Sequence, residues 1–399
     1  MVTVQGIMSL AFSISTPFLP LFIGDLGVHS IASVDLWSGI ISSANFIFAA
    51  IVSPMWGAVS DRIGRKAMVI RSSVAVCIFT ALMGLSQNVW QLFGARAAMG
   101  LFSGFAAAAI ALVGTQVPEE RLGFALGWLA TGQLLGGLIG PMAGGLLADV
   151  LHGYREVFFW TSAFAAVASL VVVAFVHDGF DRHAAHQRTG PPFRERLRAL
   201  MRDGGILPML VVILMVQFAA FGIQPVVSIY VQQMVGNVPW LATAAGAAFS
   251  ITGLSDVIAS PFLGKRSDQL GYRRVLLISL AGAAVFTIAQ AFTHDIWTFL
   301  AARFGIGVFL GGILPTANAL IGRLTPAADR GRVYGVTSSA MFIGMFIGPL
   351  AGGIISAKFG IPAMFVVAGV CLVANALWVL WRVEDTTRGD PQTLGASGT

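Results

Sequence analysis

The sequence predicts an all-α integral membrane protein, with twelve transmembrane helices arranged as two pseudo-symmetric six-helix bundles. Three observations predict it. Of 399 residues, 56% are hydrophobic and only 11% are charged, too few charges to cover a soluble chain of this length. Apolar runs of about 18 or more residues recur throughout, the length that crosses a bilayer as a helix. A loop motif occurs twice, 207 residues apart, each time after a hydrophobic helix, as in a duplicated membrane chain. The alternating pattern of an outer-membrane barrel is absent.

The expected spans cover roughly residues 2–24, 37–59, 67–86, 92–114, 124–147 and 156–177, then 206–232, 240–263, 275–293, 296–322, 333–356 and 362–382. This divides the chain into a first bundle at 1–177, a polar central loop at 178–205, a second bundle at 206–382 and a tail at 383–399. The loop is rich in His and Arg, and Phe193 to Met201 within it has the pattern of a short surface helix. With both termini in the cytoplasm, 20 of the 24 Lys and Arg residues fall to the cytoplasmic side, in loops or at the cytoplasmic ends of spans. The other side holds Arg155 and Lys358, while Arg96 and Arg303 lie within spans. Such a bias sets the orientation. No cleavable signal-peptide signature is seen, because the chain opens in an apolar run without a basic stretch. Either the start is late or the first helix has an unusually short lead-in.

The net charge of +6 does not point to nucleic acid, because the basic residues sit in short loops between spans. Cys77 and Cys371 are isolated in apolar surroundings, which leaves disulfide and zinc readings without support. His183 and His186 read as ordinary loop residues. No metal or cofactor is expected, and no phosphate-binding Gly-Lys-Ser/Thr loop or nucleophile elbow is found. The expected partners are the lipid bilayer, a small-molecule substrate and protons, with a monomer as the functional unit.

The loop motif reads GAVSDRIGRK from Gly57 to Lys66. Gly64 supplies the turn between helices, and Asp61, Arg62, Arg65 and Lys66 crowd it. Asp61 reads as a latch that accepts backbone hydrogen bonds at a nearby helix N-terminus. The basic residues serve either that latch or simple anchoring at an anionic lipid surface. The second copy, GKRSDQLGYRR from Gly264 to Arg274, keeps Asp268 and reads as structural.

The repeat extends further. Arg96 matches Arg303 at an offset of 207, and Gly140-Pro141 matches Gly348-Pro349 at 208. Pro17, Pro118 and Gly127 match Pro225, Pro326 and Gly335, also at 208. Two bundles packed face to face with a cavity between them follow. Each membrane arginine either assists proton exchange by a nearby acid or snorkels to the interface. Gly132, Gly136, Gly140 and Gly144 fall on one helical face, with Pro141 bending the helix. That face lets a neighbouring backbone approach closely, and it is expected to control how the halves rock.

Acids within the membrane are candidate proton carriers. Asp256 stands well inside a span, while Asp25 and Asp35 bracket the first outer loop. For Asp256 a structural partnership with polar neighbours is the alternative. The expected cavity lining is Gln5, Ser13, Asn45, Phe46, Gln133, Gln217, Phe221, Gln224 and Asn318. A large, mostly apolar cavity with few polar groups suits lipophilic compounds of varied shape. A polar metabolite such as a sugar would need the amides to converge.

With these residues in place the sequence resembles the major facilitator superfamily, most of all its twelve-helix drug–proton antiporters of the MdtG type. GAVSDRIGRK is similar to the family's signature between spans two and three, and Arg96 with Gly100 and Gly104 to its span-four motif. GGLIGPMAGG, Gly136 to Gly145, resembles the antiporter signature of span five. TPFLPLFIGDLG and QNVWQLFGARAAMG also resemble MdtG-like segments. The resemblance implies proton-driven alternating access that moves substrates outward. No acid lies inside the first span, where some related exporters carry one.

Overall fold

The computed structural model describes residues 1–117, 119–176, 206–325 and 330–383. The expected central loop with its amphipathic stretch, the tail beyond 383, Pro118 and Pro326 lie outside the described residues, as do the side chains of Asp61 and Arg62. Twelve helices are long and apolar enough to cross a membrane. They are α1 (Val2–Asp25), α2 (Ile31–Ser53), α3 (Arg65–Leu85), α4 (Val89–Gly114), α5 (Phe124–Leu151) and α6 (Tyr154–Phe175). The second half holds α7 (Ile206–Val235), α8 (Leu241–Leu270), α9 (Tyr272–Phe292), α10 (Ile296–Leu324), α11 (Gly335–Phe359) and α12 (Ile361–Arg382). All the expected spans are present. In hydrocarbon a chain must satisfy its backbone polar groups internally, so apolar runs of this length become helices.

Turn and cap chemistry sets the boundaries. The helix of α2 continues past the span to Ile63 and stops at Gly64, whose φ of +95° only glycine adopts readily. Gly271 takes the same φ of +95° between α8 and α9. Asn88 caps α4 by accepting from the Gln91 amide at 3.0 Å. Its repeat partner Asp295 caps α10 by accepting from the Trp297 and Thr298 amides at 2.9 and 3.0 Å. The bonds from Thr298, side chain first and then backbone, hold the exposed Asp295 carboxyl below the usual carboxylate range.

Within each half the packing repeats: α1 lies on α5 and α6, α2 on α4, and α3 on α6. Correspondingly α7 lies on α11 and α12, α8 on α10, and α9 on α12. The glycine stripe of α5 explains the closest of these contacts. A Cβ on Gly132 would sit 2.8 Å from the Val2 carbonyl oxygen, one on Gly136 2.6 Å from the Leu10 amide, and one on Gly140 2.6 Å from Ser13 Cβ. On Gly144 it would sit 2.8 Å from the Phe18 ring. Gly344 and Gly348 do the same for α11 against Leu214 and Phe218 of α7. The stripe therefore packs helices inside one half.

The halves meet chiefly through two other pairs, α2 with α11 and α5 with α8, and also where the end of α1 touches α7, with Ser228 donating to the Pro17 carbonyl. An even number of spans puts both described termini at one end of the bundle. The crossings lie at the opposite end, where a continuous apolar core including Phe18, Phe22 and Phe158 from one half and Tyr230, Phe299 and Phe365 from the other runs across the divide.

Candidate functional site

The seal at that end is built from close backbone approach. A Cβ on Gly39 of α2 would run into the Pro349 carbonyl of α11, and one on Gly246 of α8 into the Pro141 carbonyl of α5. Gly353 approaches Asp35 and Gly39, and Gly145 approaches Ala242 and Thr243. Asp149, at the end of α5, accepts from the Ala242 and Thr243 amides at 3.1 and 2.8 Å. Its charge thus sits at the positive N-terminal end of α8. Of these residues the sequence had marked Pro141, Pro349, Asp35 and, as the end of a motif, Gly145, but not Gly39, Gly246 or Gly353, although Gly39 and Gly246 are 207 residues apart and Gly145 and Gly353 are 208. That equal offset was the signal available.

Towards the termini the halves part around two adjoining cavities. The first, ≈ 340 Å³, is lined by Ser13, Pro141, Phe221, Gln224, Asp256 and Arg303, among others. The second, ≈ 450 Å³, is lined by Gln5, Asn45, Phe46, Gly57, Gln133 and Arg71, among others, mostly from the first half. Phe12 borders both. Phe46 meets Phe221 edge-on across the halves, with centroids 5.4 Å apart. Gln5 donates to Gln133 Oε1 at 3.3 Å. Two expected lining residues are elsewhere. Gln217 is buried where α7 meets α11, and Asn318 is exposed on α10.

The membrane arginines do not snorkel. Arg96 and Arg303 are 5% and 7% exposed. Arg96 places its guanidinium 5.3 Å from the Phe12 ring, and Arg303 places its own 5.4 Å from the Phe249 ring, a cation–π arrangement in each half. Arg303 also donates from Nε to the Ala248 carbonyl at 2.9 Å, while Arg96 Nε has no hydrogen-bond partner.

Arg71 is a cation that the sequence alone does not single out. It lies inside α3 and stacks over Trp56 at 3.6 Å. Its position follows from a break in α4 at Phe102–Gly104, where Gly104 takes φ +114°. The break frees carbonyls, and Trp56 Nε1 bonds Leu101 O at 2.8 Å while Arg71 bonds Ser103 O at 2.9 Å. Nε and Nη1 of Arg71 are buried without partners.

The acids separate sharply. Asp256 forms part of the first cavity, its side chain against Gly311 of α10. Asp25 is exposed beyond the seal. Asp35 differs from expectation, because α2 begins at Ile31 and carries Asp35 inside the span, fully buried. Ser356 of α11 faces the carboxylate, but its hydroxyl donates to Gly353 O at 3.3 Å, so both Asp35 oxygens lack a hydrogen bond. Asp256 is therefore not the sole acid well inside a span.

The loop motif contacts its own half. Arg65 donates to Ala111 O of α4 at 2.5 Å and Lys66 to Val173 O of α6 at 3.1 Å. Cations at helix C-terminal carbonyls are favourable there. A Cβ on Gly57 would meet nothing within 4 Å. In the second copy, exposed Asp268 accepts from the Tyr272 hydroxyl. Among the described residues no cluster of His, Cys, Asp and Glu could hold a metal.

The Major Facilitator Superfamily pattern matches residues 1–244 and 236–397. The chain is 36% identical over 368 residues to multidrug resistance protein MdtG of Salmonella arizonae, covering 92% of this chain and 90% of that one. It is equally identical, 36% over 368 residues, to MdtG of Enterobacter lignolyticus, covering 92% and 87%. A bacterial homologue of the human lysosomal transporter Spinster superposes with a TM-score of 0.75 at 15% identity, covering 96% of this chain and 95% of that one. The human organic anion transporter MFSD10 superposes at 0.67 and 16% identity, covering 95% and 98%. At such identity the solved structures speak to the fold alone. The family pattern and the near full-length relatives agree with the twelve-helix architecture: the chain belongs to the Major Facilitator Superfamily, and is a multi-pass secondary transporter of small molecules.

Proposed function

We propose that the chain exports small, mostly lipophilic compounds across a bacterial inner membrane in exchange for protons, by alternating access. The observation that carries this reading is the mainly apolar space between the halves, sealed at one end, with Asp256 in its wall and Asp35 buried in its seal. The loop-charge bias supports cytoplasmic termini, so the described state faces inward. The antiporter-like signature of α5 and relatives named as multidrug resistance proteins support the outward direction. Both cavities lie within one chain, which supports a monomer as the functional unit.

The two acids then have distinct tasks. Asp35 meets outside water when the seal opens and accepts a proton there. A carboxylate closing into a pocket without partners is accommodated as the neutral acid, so proton binding and closure accompany each other. Asp256 is open to the cavity and senses the substrate. In the opposite state the Gly57–Lys66 loop serves as the inner latch, with Asp61 as its acid. The reading of a polar metabolite is disfavoured. Of Gln5, Asn45, Gln217, Gln224 and Asn318, only Gln5 and Asn45 share a cavity.

The test is transport in proteoliposomes with an imposed pH gradient, comparing a lipophilic cation, a neutral drug and labelled sugars. Gradient-dependent drug movement is expected. Drug flux indifferent to the gradient removes proton coupling, and sugar movement without drug movement selects the polar metabolite.

A further inference from the structure

The two crossings between the halves are copies of one design, and each contains a serine aimed at the other half's proline bend. Ser250 of α8 donates to the Leu138 carbonyl of α5 at 2.8 Å, and the Met142 amide donates to the same hydroxyl at 3.1 Å. Leu138 and Met142 are four residues apart and flank Pro141 on either side. An unbroken helix pairs such groups directly. The Ser250 hydroxyl, from the opposite half, therefore bonds both partners of one rung of the α5 backbone ladder, beside the residue that lacks an amide hydrogen.

The other crossing repeats the serine-to-carbonyl bond. Ser43 of α2 donates to the Phe346 carbonyl of α11 at 2.8 Å. Ser43 and Ser250 are 207 residues apart, and Leu138 and Phe346 are 208. Each acceptor lies three residues before its proline, Pro141 or Pro349. Each serine lies four residues after the glycine, Gly39 or Gly246, that allows the backbones to touch. Four equivalent positions and one equivalent bond thus recur at both interfaces.

We propose that Ser43 and Ser250 are a matched pair of positioning residues that select the sealed state by hydrogen bonding into the proline bends of the opposing half. When the halves separate at this end, each hydroxyl leaves. The Leu138 carbonyl and the Met142 amide then lose their partner from the other half. The serines thus act through α5 and α11 and touch no substrate. The inference rests on alternating access and is independent of proton coupling and substrate class.

Distances between spin labels test it, with Gln87→Cys and Lys358→Cys, both exposed at the sealed end, and Cys77 and Cys371 replaced by serine. Removing one hydrogen bond changes an equilibrium by about fivefold. Ser43→Ala and Ser250→Ala are each expected to raise the ratio of long to short distances by about that factor or more, and Ser250→Thr, which keeps the hydroxyl, to restore the short distance. Pro141→Ala returns an amide to the ladder, so Ser250→Ala should have a smaller effect in that background. Unchanged distances in both alanine variants overturn the proposal, as does an equal effect of Ser250→Ala with and without Pro141. Failure of gradient-driven transport in the parent protein with these distance shifts intact would count against proton exchange and leave the serine assignment standing.

Discussion

Asp35 turns burial into a mechanistic demand. Its two oxygens have no hydrogen-bond partner and it is wholly shielded, in a setting where an isolated charge is strongly disfavoured. Asn has nearly the same shape and no charge. Asp35→Asn is therefore expected to seal without a proton, so that a pH gradient no longer drives uphill export while downhill counterflow persists. Flux measured in proteoliposomes with and without the gradient checks this, and retained gradient-driven uphill export excludes Asp35 as the coupling acid. The sequence revealed the acid and missed its place. An aspartate near the expected start of a span reads as a loop residue, whereas α2 begins four residues earlier, at Ile31. Arg71 did not stand out in the sequence, because a cation close to a helix start counts as one more cytoplasmic charge. Its role depends on a break in α4 that lies 32 residues away along the chain.

Glycines of similar appearance do different work among the helices. Gly136 packs α5 on α1 within a half, whereas Gly246 brings α8 against α5 across the divide. Gly136→Leu is expected to lower stability by about 1–3 kcal/mol through overpacking, seen as a lower midpoint of thermal unfolding in detergent. Gly246→Leu is expected to leave that midpoint nearly unchanged, because the halves can separate to make room, and instead to enrich the state open at the sealed end. Cross-linking of cysteines on either side of the seal would report the difference, and equal loss of stability in both variants would contradict it. The four-residue spacing made the α5 stripe legible in the sequence. Gly39, Gly145, Gly246 and Gly353 have no such local rhythm, since their partners lie in the other half. Only comparison of the two repeats, position by position, could have marked them.

At the scale of the whole molecule the twelve spans and their pairing into halves were legible, because hydrophobic length and a repeated offset are properties of the chain itself. Which end is sealed was not, since each half alone is compatible with either tilt. The orientation can be tested directly. Asn237→Cys, exposed at the sealed end, is expected to react with a membrane-impermeant maleimide added to intact cells. Gly57→Cys, beside the second cavity, is expected to react only in inverted vesicles, and the reverse pattern would invert the proposed topology. The seal depends largely on main-chain atoms: carbonyls of Pro141, Pro349, Leu138 and Phe346, and amides of Ala242 and Thr243. The cavity walls, in contrast, are side chains. Mutation can reshape the cavity walls one side chain at a time, whereas it reaches the carbonyls of the seal only through the glycines, prolines and serines that position them.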